Sequence, residues 1–231
     1  MYYCGVEIGH RAHHLCALRE VRTDEPPVKL AATFFEPGPV PAVAARIRAL
    51  GEAAVAVAAP MTQPRGGSEK RTCDELLELR GISPRPFSEE GRGLFEELAD
   101  LGLFSPGGED RQGNVEEGSF QAAPVFETNV DAVFSSLQNR RLPARRNPLG
   151  IQRRIEELTD DHVLDEGGDL WHRRIDELEA AGAALCAHRF AVGHARWIGD
   201  PAEGVIVMPG SVPVQEFTTE GVLPPVTRLP L

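Results

Sequence analysis

The stretch Ala53-Ala54-Val55-Ala56-Val57-Ala58-Ala59 contains no polar side chain. A run that short and that uniformly apolar suits a sheet strand covered on both faces. Pro60 ends it. A strand needing two apolar covers calls for a layered α/β arrangement. Three mixed apolar runs precede it, at residues 3 to 9, 14 to 22 and 28 to 36. They read as strands of a meander, with Asp24, Glu25, Pro26 and Pro27 as the turn between the second and third. Pro41 can then open a helix, Val43, Ile47 and Leu50 recur at helical spacing, and Gly51 stops it.

Downstream the chain turns mostly helical. Residues 61 to 70 read as a loop. Residues 71 to 79 read as a helix with Leu76 and Leu79 inward. Residues 89 to 101 read as a second helix, with Leu94, Leu98 and Leu101 as the stripe and Phe95 broadening it. Residues 105 to 119 are rich in glycine and charge, which marks a mobile loop. A short strand is expected at 122 to 127, then helices at 131 to 137 and 149 to 158. The latter carries Ile151, Ile155 and Leu158 inward. A long helix is expected over 170 to 191, capped by Asp169, with Ile175, Leu178, Gly182 and Leu185 as its stripe. Residues 204 to 208 read as a last strand ended by Pro209. The order strand, strand, strand, helix, strand, then helices, implies a mixed sheet with helices on both faces. One domain is expected over residues 1 to 210, followed by a proline-containing tail over 211 to 231.

The formal net charge is -11, from 35 acidic and 24 basic residues. A diffuse negative surface repels polyanions at long range, which argues against a non-specific duplex binder unless basic residues cluster. Arg140, Arg141, Arg145 and Arg146 are the one such cluster, a candidate for phosphate contact or a solvated connecting segment. Cys4, Cys16, Cys73 and Cys186 match no zinc spacing and read as free apolar residues. His10, His13 and His14 read as a loose surface trio rather than metal ligands. No stretch approaches the roughly 18 apolar residues of a membrane span. The N-terminus lacks the basic start and apolar run of a signal peptide, so the expected location is cytoplasmic and the expected partners exclude a membrane.

Several segments, in order, resemble the DUF429 family, a set of predicted nucleases with an RNase H-like fold. They are Gly5-Val6-Glu7, where the family has glycine-valine-aspartate, and Val57-Ala58-Ala59-Pro60, where it has isoleucine-aspartate-alanine-proline. Arg71-Thr72-Cys73-Asp74 and Phe126-Glu127-Thr128-Asn129-Val130 follow, the second without the family's proline. Arg146, Gly150, Arg154 and Leu158 suit a basic helical segment. Asp176-Glu177-Leu178-Glu179-Ala180 stands where the family has an acidic pair on a late helix, and Gly204 to Pro209 closes the domain.

The resemblance implies phosphodiester hydrolysis with Mg2+ or Mn2+ held by carboxylates. The catalytic candidates are Glu7, Glu127, Asp176 and Glu179. Of these, Glu7, Glu127 and Glu179 are the expected metal ligands, and Arg71, Arg146 and Arg154 the expected phosphate contacts. Glu7 lies mid-strand among apolar neighbours, where an ionised carboxylate is costly unless paired or metal-bound. Glu127 ends a strand just before a helix. Asp176 and Glu179 share a helical face beside the apolar stripe, with Glu177 next to them read as solvated.

Two departures weaken an active site. Glu7 replaces aspartate, which lengthens the side chain in a site where Mg2+ demands near-octahedral geometry. Ala58 replaces aspartate, and alanine cannot bind metal; Asp74 could substitute only if its loop folds back. Two functions therefore stay open. One is a metal-dependent nuclease or phosphodiesterase with a partly degenerate site, acting on a small or single-stranded nucleic acid. The other is a catalytically inactive RNase H-like binding or scaffold protein. The sequence also allows a homo-oligomer.

Overall fold

The computed structural model describes residues 1–21, 27–66, 68–100, 125–200 and 203–210. The expected turn at Asp24–Pro26, Leu101, the loop at 105–119, the first residues of the strand at 122–127 and the tail at 211–231 lie outside them.

The three-strand meander forms as β1 (Tyr2–Glu7), β2 (His14–Val21) and β3 (Lys29–Phe34), each antiparallel to the next. Helix α1 (Val40–Leu50) crosses over to β4 (Ala53–Ala58), which pairs in parallel with β1. Helices α2 (Thr72–Glu78) and α3 (Glu89–Asp100) follow, then β5 (Val125–Glu127), parallel to β4. Next come α4 (Val130–Leu137), α5 (Pro148–Asp160), the three-residue strand β6 (Val163–Asp165), α6 (Ile175–Ala191), and the hairpin strands β7 (Ala195–Asp200) and β8 (Gly204–Pro209). The main sheet is mixed, with strand order β5-β4-β1-β2-β3-β6. Among the described residues no helix is long and apolar enough to cross a membrane.

Strand alternation builds two separate cores on the two faces of this sheet. Cys4, Val6, Leu15, Ala17, Val55 and Val57 pack with α1 and α3. Tyr3, Cys16, Leu18, Ala54, Ala56 and Ala58 pack with α4, α5 and α6. The expectation of helices on both faces is met, and β4 is buried along its whole length.

The late helix differs from its sequence reading in two ways. It starts at Ile175 rather than 170, because Asp169 caps a separate 3-10 turn at Leu170–His172, accepting the Trp171 N–H. The N-terminus of α6 is held instead by Glu177, whose carboxylate accepts the Arg174 N–H at 2.8 Å and also pairs with Arg173. Glu177 is thus engaged and half-buried rather than solvated. The helix also has no single apolar stripe, since every residue from Leu178 to His188 is buried. Alanine and glycine dominate that stretch, so neighbours approach closely on all sides. A Cβ on Gly5 would fall 2.1 Å from the Ala180 carbonyl oxygen and the Ala184 nitrogen, so only glycine lets α6 lie this tightly on β1. Opposite, the Phe134 ring fills the space above Gly182. Strands β6 and β7 had no counterpart in the sequence reading. Three residues carry no period, and in Ala195–Asp200 an arginine occupies one of the inward positions.

Candidate functional site

Strand β1 ends in Glu7, whose side chain alternates onto the same face as Gly5 and therefore faces α6. On α6, Asp176 and Glu179 lie one turn apart. The close contact at Gly5 sets the depth of the helix, and it brings the three acids together. A ligand oxygen from each of Glu7, Asp176 and Glu179 lies within 4.8 Å of the others. Glu7 and Glu179 are buried and Asp176 is half-buried.

Three arginines from three other segments hold these charges. Arg85, flanked by Pro84 and Pro86, grips Glu7 with two hydrogen bonds of 2.7 and 3.1 Å and reaches Glu179 at 3.2 Å. Arg145, from the loop between α4 and α5, contacts Asp176 at 2.5 Å and Glu179 at 2.7 Å, and lies 3.8 Å from Glu7. Arg154, on α5, donates to the Gly150 carbonyl at 2.9 Å and to Asp131, with its Nε 3.6 Å from Glu179 Oε1. Four carboxylates thus meet three guanidiniums. Burial pushes the Glu7 carboxyl up to about 8, while Arg85 pulls the other way and Glu179 adds to the rise. Burial raises Glu179 as well, against the pull of Arg85, Arg145 and Arg154. Burial would keep a proton in this cluster and the arginine forks would expel it.

The cluster is not sealed. Arg85 and Arg145 keep 21% and 31% of their side-chain surface. Arg85 also lines a cleft of about 230 Å³ with His10, Ala58, Ala59 and Ser88 at the ends of β1 and β4. In the sheet register Ala58 is the partner of Glu7 and faces the same way. A carboxylate at position 58 would stand beside Glu7, and alanine supplies none.

Glu127 does not join this group. It pairs in register with Val57, one residue before Ala58, and Val57 packs toward α1 and α3. Alternation therefore sends Glu127 to the opposite face of the sheet from Glu7. There Arg71 clasps it with two bonds of 2.7 Å, and the Met61 N–H donates to it at 2.8 Å. The same guanidinium holds Asp74 at 2.9 Å, so Asp74 does not replace the acid missing at position 58. Burial raises the Glu127 pKa and Arg71 opposes it.

The expected phosphate contacts also divide. Arg71 and Arg154 are buried and committed to carboxylates, Arg71 to the buried Glu127 and Arg154 to the half-exposed Asp131, with the buried Glu179 3.6 Å from its Nε. Arg146 is exposed on the turn leading into α5. His13 and His14 are buried and only His10 is exposed, so the trio is not a surface cluster. Among the described residues no metal-ligating group includes any of them.

Arg85 was missed from the sequence. The Pro-Arg-Pro triplet was its one signal, since flanking prolines restrict the backbone on both sides and lower the cost of fixing the arginine.

Glu7, Asp176 and Glu179 are three carboxylates from two elements that could hold one hard divalent cation, and their oxygens are engaged by Arg85 and Arg145. No family model, no curated protein and no solved structure matches this chain. The likeness to the DUF429 family rests on the residues quoted above.

Proposed function

We propose that this chain is an RNase H-like hydrolase that uses a divalent cation, Mg2+ or Mn2+, to cleave phosphodiesters of a small or single-stranded nucleic acid. The observation carrying this reading is the convergence of Glu7 with Asp176 and Glu179, some 170 positions apart in sequence, within 4.8 Å. The order of the first elements, strand, strand, strand, helix, strand, supports the RNase H-like architecture.

The protein's own groups divide the work. Glu7, Asp176 and Glu179 would hold the cation. When bound it would supply positive charge against the phosphate oxygens and a more acidic water as nucleophile. Arg85 and Arg145 are the two cluster arginines with exposed surface, and they would turn a donor toward a phosphate at the cleft. Arg154, buried, would add positive charge beside Glu179, its Nε 3.6 Å from Oε1. Arg146 stands nearby in sequence as an outer backbone contact.

A second reading has its own support. Ala58 removes one carboxylate, and the three arginines already balance most of the acid charge. A protein that kept the fold and lost catalysis would use the cluster only to pin α6 to β1.

Calorimetric titration with Mn2+, paired with cleavage of a short single-stranded oligonucleotide, separates the two. The hydrolase reading expects Mn2+ binding and Mn2+-dependent cleavage, both lost in Glu179→Gln. Absence of Mn2+ heat in the wild type would leave the inactive reading standing. Binding without cleavage would assign the site to a structural cation.

A further inference from the structure

The acidic cluster has an exposed side besides the cleft. Asp176 keeps 39% of its side-chain surface, and Arg145, 2.5 Å from it, keeps 31%. Arg146, next to Arg145, and Arg174, two residues before Asp176, are both exposed. Three residues before Arg174 stands Trp171, with 58% of its surface in solvent. Tryptophan is highly buried on average, so an indole left this open calls for an explanation.

The sheet topology brings these residues to one rim. β2 is antiparallel to both β1 and β3, and β6 is parallel to β3, so β1 and β6 point the same way. Glu7 ends β1 and Asp165 ends β6 at the same end of the sheet. The chain then passes through the 3-10 turn at Leu170–His172 and enters α6, whose first turns carry Asp176 and Glu179. Trp171 thus stands on the connection between the sheet rim and the cluster.

That connection is tied down. Asp169 accepts the Trp171 N–H at 3.0 Å, the His172 N–H donates to the Asp169 carbonyl at 2.9 Å, and the Arg173 N–H donates to that of Leu170 at 3.1 Å. Leu170 is buried in the core. Arg173 bonds Asp165 at 2.6 and 2.9 Å and Glu177 at 3.3 Å, with its guanidinium 4.3 Å from the centre of the Phe34 ring. A Cβ at Gly167 would meet Arg173 Nη2 at 3.0 Å, so glycine lets the loop close on that arginine. The backbone under Trp171 is therefore fixed before any ligand arrives, which lowers the ordering cost of binding. The acids of the segment are engaged as well. Arg173 holds Asp165 and Glu177, Arg19 holds Glu166 at 3.1 Å, and Arg145 holds Asp176.

We propose that Trp171 is a stacking platform for a base of a single-stranded nucleic acid, with Arg146 and Arg174 contacting its phosphates beside the acidic cluster. The proposal rests on reading that cluster as a nucleic-acid site, and it adds a contact outside the metal ligands. Single strands bind where an exposed aromatic ring adjoins cationic side chains, since every base has a face to stack and every link a phosphate to neutralise. Duplex bases are already stacked on one another and leave no face for the ring.

The test is a titration of the full chain with oligothymidylate in EDTA, so that binding is read apart from cleavage. Tryptophan fluorescence should be quenched by the single strand and not by the same sequence as a duplex. The chain has two tryptophans, and the quench should vanish in Trp171→Phe, which leaves Trp197 in place. By anisotropy of a labelled oligonucleotide, Trp171→Ala should bind at least about fivefold more weakly, the lower end of base–aromatic stacking, while Trp171→Phe keeps most of the affinity. Arg146→Gln/Arg174→Gln should flatten the salt dependence by about 1.4 in log–log slope, two phosphate contacts fewer. Thermal melts check that each variant folds. Unchanged affinity in Trp171→Ala, no quench, or an equal quench by duplex would overturn the proposal. So would self-association in sedimentation that Trp171→Ala abolishes, which would assign the indole to a second copy of the chain. Trp171-dependent binding without Mn2+-dependent cleavage would remove the hydrolase reading and leave this one, and cleavage indifferent to Trp171 would do the reverse.

Discussion

Arg85 donates to Glu7 and to Glu179 at once, through hydrogen bonds of 2.7, 3.1 and 3.2 Å. One guanidinium from a loop thereby ties the end of the central strand to the first turns of the buried helix. It also borders the cleft, so a group that stabilises the acids stands at an approach to them.

Replacing this arginine separates its roles. Arg85→Gln leaves Glu7 and Glu179 with one cation fewer and should cost about 2 to 4 kcal/mol, reduced from a fully buried pair because Arg85 keeps some exposure. If the cluster accepts a divalent cation, Mn2+ should raise the melting temperature of Arg85→Gln more than that of the wild type, since the ion replaces the lost charge. Equal shifts in both proteins would count against the metal reading.

The Glu7 carboxyl, raised by burial from 4.5 to about 8, sets a pH dependence. A raised folded-state value means that the folded protein binds the proton more tightly than the unfolded chain. The stabilisation is therefore full below about 4.5 and is lost as pH rises through about 8. Urea midpoints across this window should fall more steeply for the wild type than for Glu7→Gln, in which the raised Glu179, Glu127 and Glu157 still contribute in that direction but Glu7 does not. Parallel curves would show that Arg85 keeps Glu7 ionised throughout.

Ala58→Asp places a carboxylate beside Glu7 on the same sheet face. Without metal, an extra buried charge should destabilise the fold by roughly 2 kcal/mol or more. With Mn2+ the variant should bind at least about tenfold more tightly than the wild type, equivalent to about 1.4 kcal/mol. Calorimetry on the two proteins measures the difference directly, and no gain would mean that position 58 does not face the cation.

Arg71 and Glu127 provide the opposite case. Arg71→Met strands two acids, Glu127 and Asp74, and should cost about 3 to 5 kcal/mol. Glu127→Gln, which keeps the shape and the hydrogen-bonding capacity, should fold and leave Mn2+ affinity unchanged, while Glu179→Gln abolishes it. A loss of Mn2+ binding in Glu127→Gln would contradict the assignment of Glu127 to the far face.

Gly5→Ala forces a methyl group into the backbone of α6 at 2.1 Å. Neither partner is a movable side chain, so the cost should reach at least about 3 kcal/mol, the upper end of overpacking effects. Lifting α6 from β1 would also part Glu7 from Glu179, so Mn2+ affinity should fall together with the urea midpoint.

The sequence by itself determined the local elements that repeat a period. The uniformly apolar run at 53–59, the three preceding runs and the proline- and glycine-bounded helix after them determined a mixed sheet with two covers, because burial on both faces leaves no room for a polar side chain. Glu7, Asp176 and Glu179 were marked, together with Glu127, by the resemblance to the DUF429 family, and only Glu7 also by its apolar neighbours. Only the tertiary structure decided which acids meet. Glu127 and Glu7 differ by one step of sheet register, and one step reverses the face of a side chain, a choice that depends on strand pairing between distant segments. The same holds for Arg85, whose partners lie 78 and 94 positions away, and for α6, whose alanines show no stripe because the chain wraps it on every side.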